Sequence, residues 1–437
     1  MLKIGVGAGF SGDRMEAAEI LLNKVDLDYI VFECLAERTI ALAQQRKLKN
    51  KDTGYDVLLE KRIRSILPVL IQKKVRLITN MGAANPIAGG KKILEVAKEL
   101  NIPCKIAVVT GDSVLDKVDE SWITLETGNP LSEYKPLLSA NAYVGIEALL
   151  PALDSNADII ITGRVADPSL FLAPQVYHYG WSLSDYRKLG QGTVIGHLLE
   201  CGGQVSGGYF ADSMRKKVPN LAQIGFPYAE IGANGDAIIS KAEGTGGIID
   251  LRTVKEQLLY EVHDPNQYIT PDVIANFTSV QLTQVGENKV SIIGGNGKER
   301  PESLKVSVGY QAGYLGEGEI SYAGTDALGR AELAKDILHE RLENQLEDIR
   351  IDLIGMNAIH RKNFSDVPPY EVRVRATGRH REKECAALIG EEVEALYLNG
   401  PAGGGGARKN CTQSIGIIST LISREKVEPQ VEFMEWK

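Results

Sequence analysis

The feature that most constrains this 437-residue chain is a recurring unit in its first 165 residues: a short β-branched apolar run, a Gly-rich or polar turn, then a stretch of helical spacing. The apolar runs fall at 2–6, 29–32, 75–78, 106–109 and 159–161, and the helical stretches at 15–23, 63–71, 91–100 and 145–153. In the first of these, Met15, Ala18, Ile20, Leu21 and Leu22 recur at helical spacing. Strands that are apolar throughout are buried on both faces, and helices between them make neighbouring strands parallel. The turns at 80–86, 110–113 and 162–167 then share one sheet edge, where open α/β sheets hold ligands.

From 168 to 245 the pattern is less regular, with helical spacing at 193–201 and many glycines. A helix over 254–261 is stopped by Asp264-Pro265, and alternation gives strands at 280–283, 290–293 and 305–311. The order then runs strand 305–311, helix 327–343, strands 350–354 and 371–376, helix 381–396 and strand 415–422. That β-α-β-β-α-β order is the split arrangement of ferredoxin-like domains. The expected fold class is α/β: an N-terminal parallel Rossmann-like sheet with helices on both faces over 1–245, and a C-terminal α+β ferredoxin-like domain over 246–437.

Composition excludes several functions. Lys plus Arg number 49 against 57 Asp plus Glu, and the formal charge of −8 opposes the phosphate neutralisation that nucleic-acid binding needs. Apolar residues at 43% with scattered Gly and Pro describe a globular chain rather than a disordered one. No run approaches 18 apolar residues and residues 2–6 read as a buried strand, so no membrane span or leader is expected and the location is cytoplasmic. Cys34, Cys104, Cys201, Cys385 and Cys411 are odd in number and form no C-x-x-C pair, against a disulfide framework or a structural zinc site.

Several motifs carry chemistry. Gly7-Ala8-Gly9-Phe10-Ser11-Gly12 is a G-x-G-x-x-G after a strand, and Glu33 stands 21 positions beyond Gly12, near where a dinucleotide fold puts its ribose-binding acid. Gly9 and Gly12 would then hold a pyrophosphate of NAD. Asp13 opposes that by placing a carboxylate at the positive end of the following helix. It acts either as a cap or, with Arg14, as a substrate-binding group. Asn80 and Asn85 offer amides to a carbonyl or anion, or fold back to make turns. Asp112 enters the same cleft or caps a helix. Arg164 could grip a carboxylate with two prongs while Asp167 orients it or takes a proton, the alternative being an internal pair that braces the loop.

The densest cluster is His197, Glu200 and Cys201, at i, i+3 and i+4 on one helical face and followed by Gly202 and Gly203. Histidine can exchange a proton near neutral pH, the carboxylate sets its tautomer, and the thiol could act as nucleophile. Metal binding competes, but mixed donors without a second cluster do not favour it, and the expected metal is none. Gly244, Thr245, Gly246 and Gly247 could form an anion nest. So could Gly403, Gly404, Gly405 and Gly406 with Arg408 beyond, because four successive glycines cost entropy that a simple turn does not require.

These motifs together resemble the acyclic terpene utilisation (AtuA) family over nearly the whole chain. The resemblance is carried by residues 7–14, 28–39, 80–86, 160–167, 196–209, 244–247 with 254–260, Asp264-Pro265, 268–273 and 398–408. It implies a part in the breakdown of citronellol- and geraniol-like terpenes through branched acyl-CoA esters, with no settled reaction or cofactor. Longer relatives add a segment with an Arg-Ser-Gly-Asp-Lys-Gly-Asp motif, absent here, which implies a small partner subunit that supplies it.

The expected function is a catabolic, lyase-like enzyme acting on a branched carboxylic acid or acyl-CoA ester by proton abstraction with elimination or addition. Arg164 would bind the anion and Asn80 or Asn85 polarise a carbonyl. His197 with Asp167 or Glu200 would move the proton. No cofactor is required. The alternatives are an NAD(P)-dependent oxidoreductase and a non-catalytic ligand-binding or scaffold subunit. A homo-oligomer is expected, with neither nucleic acid nor membrane as partner.

Overall fold

The computed structural model describes residues 1–346, 348–362 and 367–437. The chain forms two compact units, one of Met1–Ser132, Leu138–Val308 and Ile417–Lys437, the other of Glu133–Leu137 and Gly309–Gly416. Among the described residues there are ten α-helices and several sheets.

The first unit is built on a ten-stranded sheet. Its middle five strands, in spatial order Leu2–Ala8, Tyr29–Phe32, Arg76–Thr79, Ile159–Thr162 and Cys104–Thr110, are parallel. They are the five apolar runs legible in the sequence. Side chains alternate across the sheet, so Ile30, Phe32, Leu77, Ile106 and Ile161 all enter one core with Leu21, Leu22, Ile63, Leu67, Ile93 and Val96 from the helices Glu16–Lys24, Leu59–Lys73 and Pro86–Leu100. The helix Ser169–Tyr179 packs on the strands Leu2–Ala8 and Tyr29–Phe32 as well.

The sheet is mixed rather than parallel throughout. Pro227–Ile231, Ala237–Lys241, Lys289–Ile293 and Gln281–Gly286 extend one side in antiparallel succession, and Gln430–Trp436 closes the other side against Cys104–Thr110. Strands 281–286 and 289–293 therefore join the first unit, as does the C-terminal strand, and the units do not divide at 245/246. Flanking strands alternate in burial, as Pro227–Ile231 does, and so carry no continuous apolar run.

In the second unit the elements run strand Ser303–Ala323, helix Ala327–Leu342, strands Asp348–Ile354 and Glu371–His380, helix Lys383–Asn399 and strand Gly405–Ser423. The two outermost strands of that run begin or end in the first unit. Spatial order in the sheet is Asp348–Ile354, Glu371–His380, Ser303–Ala323, Gly405–Ser423, with the first two pairings antiparallel. Ile320, Tyr322, Val374, Leu338, Ile389 and Val393 form its core.

Candidate functional site

Because the five middle strands are parallel and in register, their C-terminal ends release the chain at one edge. Gly9 follows the first strand, Glu33 the second, and 163–167 the fourth in spatial order. Beside them lies a cavity of about 760 Å³ in the first unit, lined by Glu33, Glu37, Tyr143, Asp167, Glu200, Glu261 and Tyr268 together with Phe10, Leu35, Ala166, Ile269 and Leu304. A short antiparallel sheet of Tyr268–Ile269, Ile274–Asn276 and Asn296–Lys298 carries Tyr268 to the wall.

Three carboxyls in this wall share an environment that favours the protonated form. Burial pushes Glu33 well above its ordinary range, and the charge of Asp167 adds to the effect. The Glu33 carboxylate is held by Asn80 Nδ2 at 2.8 Å and by the Leu35 amide at 2.9 Å. Burial also raises Asp167, opposed by Arg164, and 37% of the Asp167 side chain remains open. Glu200 is pushed well up by burial and then by the charges of Asp167 and Glu261. Its Oε2 has no partner among the described residues. Glu37 behaves oppositely: burial would raise it, but the Tyr143 hydroxyl at 2.5 Å, its own amide and Lys305 at 3.1 Å hold it down to about 2. One cavity thus sets carboxyls raised by burial beside one held low, and environments that push carboxyl pKa values apart suit paired acid and base roles.

Asp167, Glu200, Cys201 and Gly9 line this cavity, and the other expected residues are placed differently. Arg164 is 1% exposed and does not reach the wall. Its guanidinium donates to the carbonyls of Leu35 and Val165 and to Asp167, and lies 4.5 Å from the Tyr143 ring centroid. It braces the loop and aims Asp167 instead of gripping an anion. Asp112 is buried behind it, accepting from the Arg164 amide at 2.9 Å and Asn141 Nδ2 at 2.8 Å. Asn80 holds Glu33 from behind. Asn85 caps Pro86–Leu100 and donates to the carbonyls of Lys51 and Thr53, so it polarises no substrate here.

His197 is also out of contact with the cavity. The helix Tyr186–Glu200 buries it to 1% exposure, against the rings of Tyr268 and Phe277, and burial lowers it to about 4. Its Nδ1 lies 2.9 Å from Glu200 Oε1. Burial lowers the histidine and raises the carboxyl, and both shifts disfavour an ion pair here. Burial, with Glu200 beside it, pushes the Cys201 thiol far up, which disfavours the thiolate that a nucleophile needs.

The glycine motifs at 7–12 and 244–247 resolve into packing. The Gly9 amide donates to Asp13 Oδ2 at 2.9 Å, a donor that a pyrophosphate would need. A Cβ on Gly9 would lie 2.4 Å from the Cys201 carbonyl carbon, so this glycine admits the 201–202 backbone, and one on Gly12 would meet the Phe10 ring. The dinucleotide reading loses its basis. Arg14 points away to the carbonyl of Ala222 at 2.6 Å. The amides of Gly246 and Gly247 donate to the carbonyls of Gln223 and Pro219, and the Thr245 carbonyl accepts from Lys241, so with Gly244 they make a closed turn and no nest. Gly403 and Gly405 line a cavity of the second unit, Gly404 packs on Ile320 there, and Gly406 and Arg408 are exposed.

Glu37, Tyr143, Glu261, Tyr268 and Lys305 are site residues that the sequence did not single out. The one available signal was the position of 33–37 directly after a strand of the parallel set, the same argument that picked out 80–86 and 162–167. Among the described residues, the group of His, Cys, Asp or Glu close enough to share an ion is His380, Glu382 and Cys385 in the second unit, and His197, Glu200 and Cys201 do not form one.

Compared with known families, residues 2–433 match the model described as acyclic terpene utilisation family protein AtuA. No curated protein and no solved structure matches the chain.

Proposed function

The chain belongs to the acyclic terpene utilisation family, and from that premise we propose that the first unit's cavity is the active site of a catabolic enzyme acting on a branched carboxylic acid or its CoA ester. The reaction is lyase-like: a proton leaves the carbon next to the carbonyl and a group departs from, or adds to, the neighbouring carbon. The observation that carries this reading is the lining of one largely apolar cavity by Glu33, Asp167 and Glu200, all raised toward neutrality by burial.

An ordinary carboxylate is too weak a base for a carbon-bound proton. Raising its pKa toward the working pH strengthens it, and the apolar wall suits a hydrocarbon chain. Asp167, aimed by Arg164, takes the proton. The C–H electron pair forms the new double bond as the adjacent C–O bond breaks, and the neutral carboxyl of Glu200 or Glu33 protonates the departing oxygen so that water leaves. Each proton transfer is worth typically ~10²–10⁴-fold. Lys305, Arg38 and the positive end of the helix Glu37–Lys49 supply favourable potential for the carbonyl oxygen or carboxylate. Incubating the protein with a panel of branched acids and their CoA esters, and following gain or loss of water by mass spectrometry, tests it. Turnover that disappears in Asp167→Asn supports the reading, and inertness toward the whole panel, with the small partner present, opposes it.

The same reading treats the first unit as Rossmann-like and the second as ferredoxin-like, supported by the parallel centre of the one and the element order of the other. It takes the protein as a cytoplasmic homo-oligomer completed by a small subunit that carries the Arg-Ser-Gly-Asp-Lys-Gly-Asp segment. No helix among the described residues is long and apolar enough to cross a membrane. Co-elution of the two proteins in gel filtration supports the partner, and unchanged elution counts against it.

A further inference from the structure

The second unit holds a cavity of about 520 Å³ lined by Ser321, Tyr322, Glu371, Arg373, Gly403 and Gly405, with Ile354 and Val372. Of the four successive glycines, three have a reason within the protein. Gly403 and Gly406 have φ of 74° and 66°, a region that favours glycine, and a Cβ on Gly404 would lie 2.9 Å from Ile320 Cδ1. Gly405 has neither constraint: its φ is not positive and a Cβ there would meet nothing within 4 Å. It lines the cavity, so the room it leaves serves something outside the chain.

A second observation points to the same place. Tyr322 is fully buried, lines the cavity, and its hydroxyl has no hydrogen-bond partner among the described residues. Buried hydroxyls are ordinarily paired. A Cβ on Gly404 would lie 3.3 Å from that oxygen, which places the hydroxyl against the glycine turn. Arg330 lies along the same turn, its guanidinium bonded to the backbone carbonyls of Ala402, Ala323 and Thr325 at 2.7 to 2.9 Å. Those partners are neutral dipoles, so they leave its charge uncancelled, and the guanidinium borders the turn behind the lining residues. Arg373 adds a second guanidinium, partly engaged by Glu319 at 3.2 Å.

We propose that this cavity is a second binding site, which receives a phosphate or carboxylate group of a small molecule at the Tyr322 hydroxyl and the glycine turn, beside Arg330. Glu371 in the same wall accepts from a hydroxyl of the ligand, so a phosphate ester that carries hydroxyls fits better than a bare anion. The site stands independently of the chemistry assigned to the first unit.

The test is calorimetric titration of the full chain with inorganic phosphate, glycerol 3-phosphate and acetate, repeated with Tyr322→Phe and Gly405→Val. Tyr322→Phe removes one oxygen, and Gly405→Val fills space that no protein atom uses. Saturable binding is expected, strongest for glycerol 3-phosphate and weakened about tenfold or more in both variants, while the melting temperature of the unliganded protein is unchanged in Gly405→Val. Acetate competing as well as phosphate would assign the site to carboxylates, and phosphate esters alone binding would assign it to phosphates. Absence of saturable binding by all three probes, or binding in both variants equal to the unmodified protein, overturns the proposal.

Discussion

His197 Nδ1 stands 2.9 Å from Glu200 Oε1 in a buried pair, with Glu200 reaching the cavity and His197 behind it. The histidine is lowered to about 4 by burial while its unfolded value is near the ordinary 6.5. Its neutral form therefore contributes stability that is fully present above pH ~6.5 and is lost as pH falls toward ~4, roughly 3 kcal/mol in all. Glu33 and Glu200, raised by burial, act in the opposite direction, so the histidine's share is read by difference: in urea unfolding at intervals between pH ~7 and ~4.5 the unmodified protein should lose stability relative to His197→Gln, which stays uncharged. An equal slope in the variant would place the acid sensitivity elsewhere.

Arg164 separates bracing from substrate binding. Arg164→Lys retains the charge but cannot span the carbonyls of Leu35 and Val165 and the Asp167 carboxylate together. A loss of about 2 kcal/mol or more in unfolding free energy is expected. Activity should fall through kcat, because Asp167 loses its aim, with KM little changed because Arg164 lies off the wall. A large rise in KM at constant kcat would restore the guanidinium as an anion receptor.

Glu33→Gln should preserve the fold, since the amide oxygen can still accept from Asn80 and Leu35. It removes the ability to move a proton: a fall in turnover of about 100-fold assigns the donor role to Glu33, and unchanged turnover assigns it to Glu200. Unfolding midpoint and rate, measured on the same preparation, check both halves.

Gly9→Ala should destabilise by about 2 kcal/mol or more, because the added carbon meets backbone at Cys201 and Gly202 with no flexible side chain to yield. NAD and NADP should leave the melting temperature of the unmodified protein where it was. A clear rise with either would reinstate the dinucleotide turn.

Legibility in the sequence followed burial pattern. The five parallel strands could be read because a strand apolar on both faces is a continuous run, and their shared edge followed from being parallel. The flanking strands such as Pro227–Ile231 alternate, and the helix Ser169–Tyr179 is buried almost all round with Pro174 inside, so neither had a period to find. The helix Tyr186–Glu200 is also buried on every side from Leu189 onward. Its His197 and Glu200 were correctly placed on one helical face, but periodicity could not tell which of the two meets the cavity. Glu33 was visible only as a ribose acid, a role tied to glycines that serve packing. Tyr143, Glu261, Tyr268 and Lys305 converge from separate stretches and leave no local pattern.

The most direct measurement is exchange of the proton next to the carbonyl. A branched acyl-CoA ester is incubated with the protein and its small partner in heavy water and followed by proton NMR. Wash-out of the α-proton signal by the unmodified protein and exchange at the buffer rate with Asp167→Asn is the expected result. Wash-out no faster than in buffer, or undiminished in Asp167→Asn, would contradict a proton-abstracting role for this cavity.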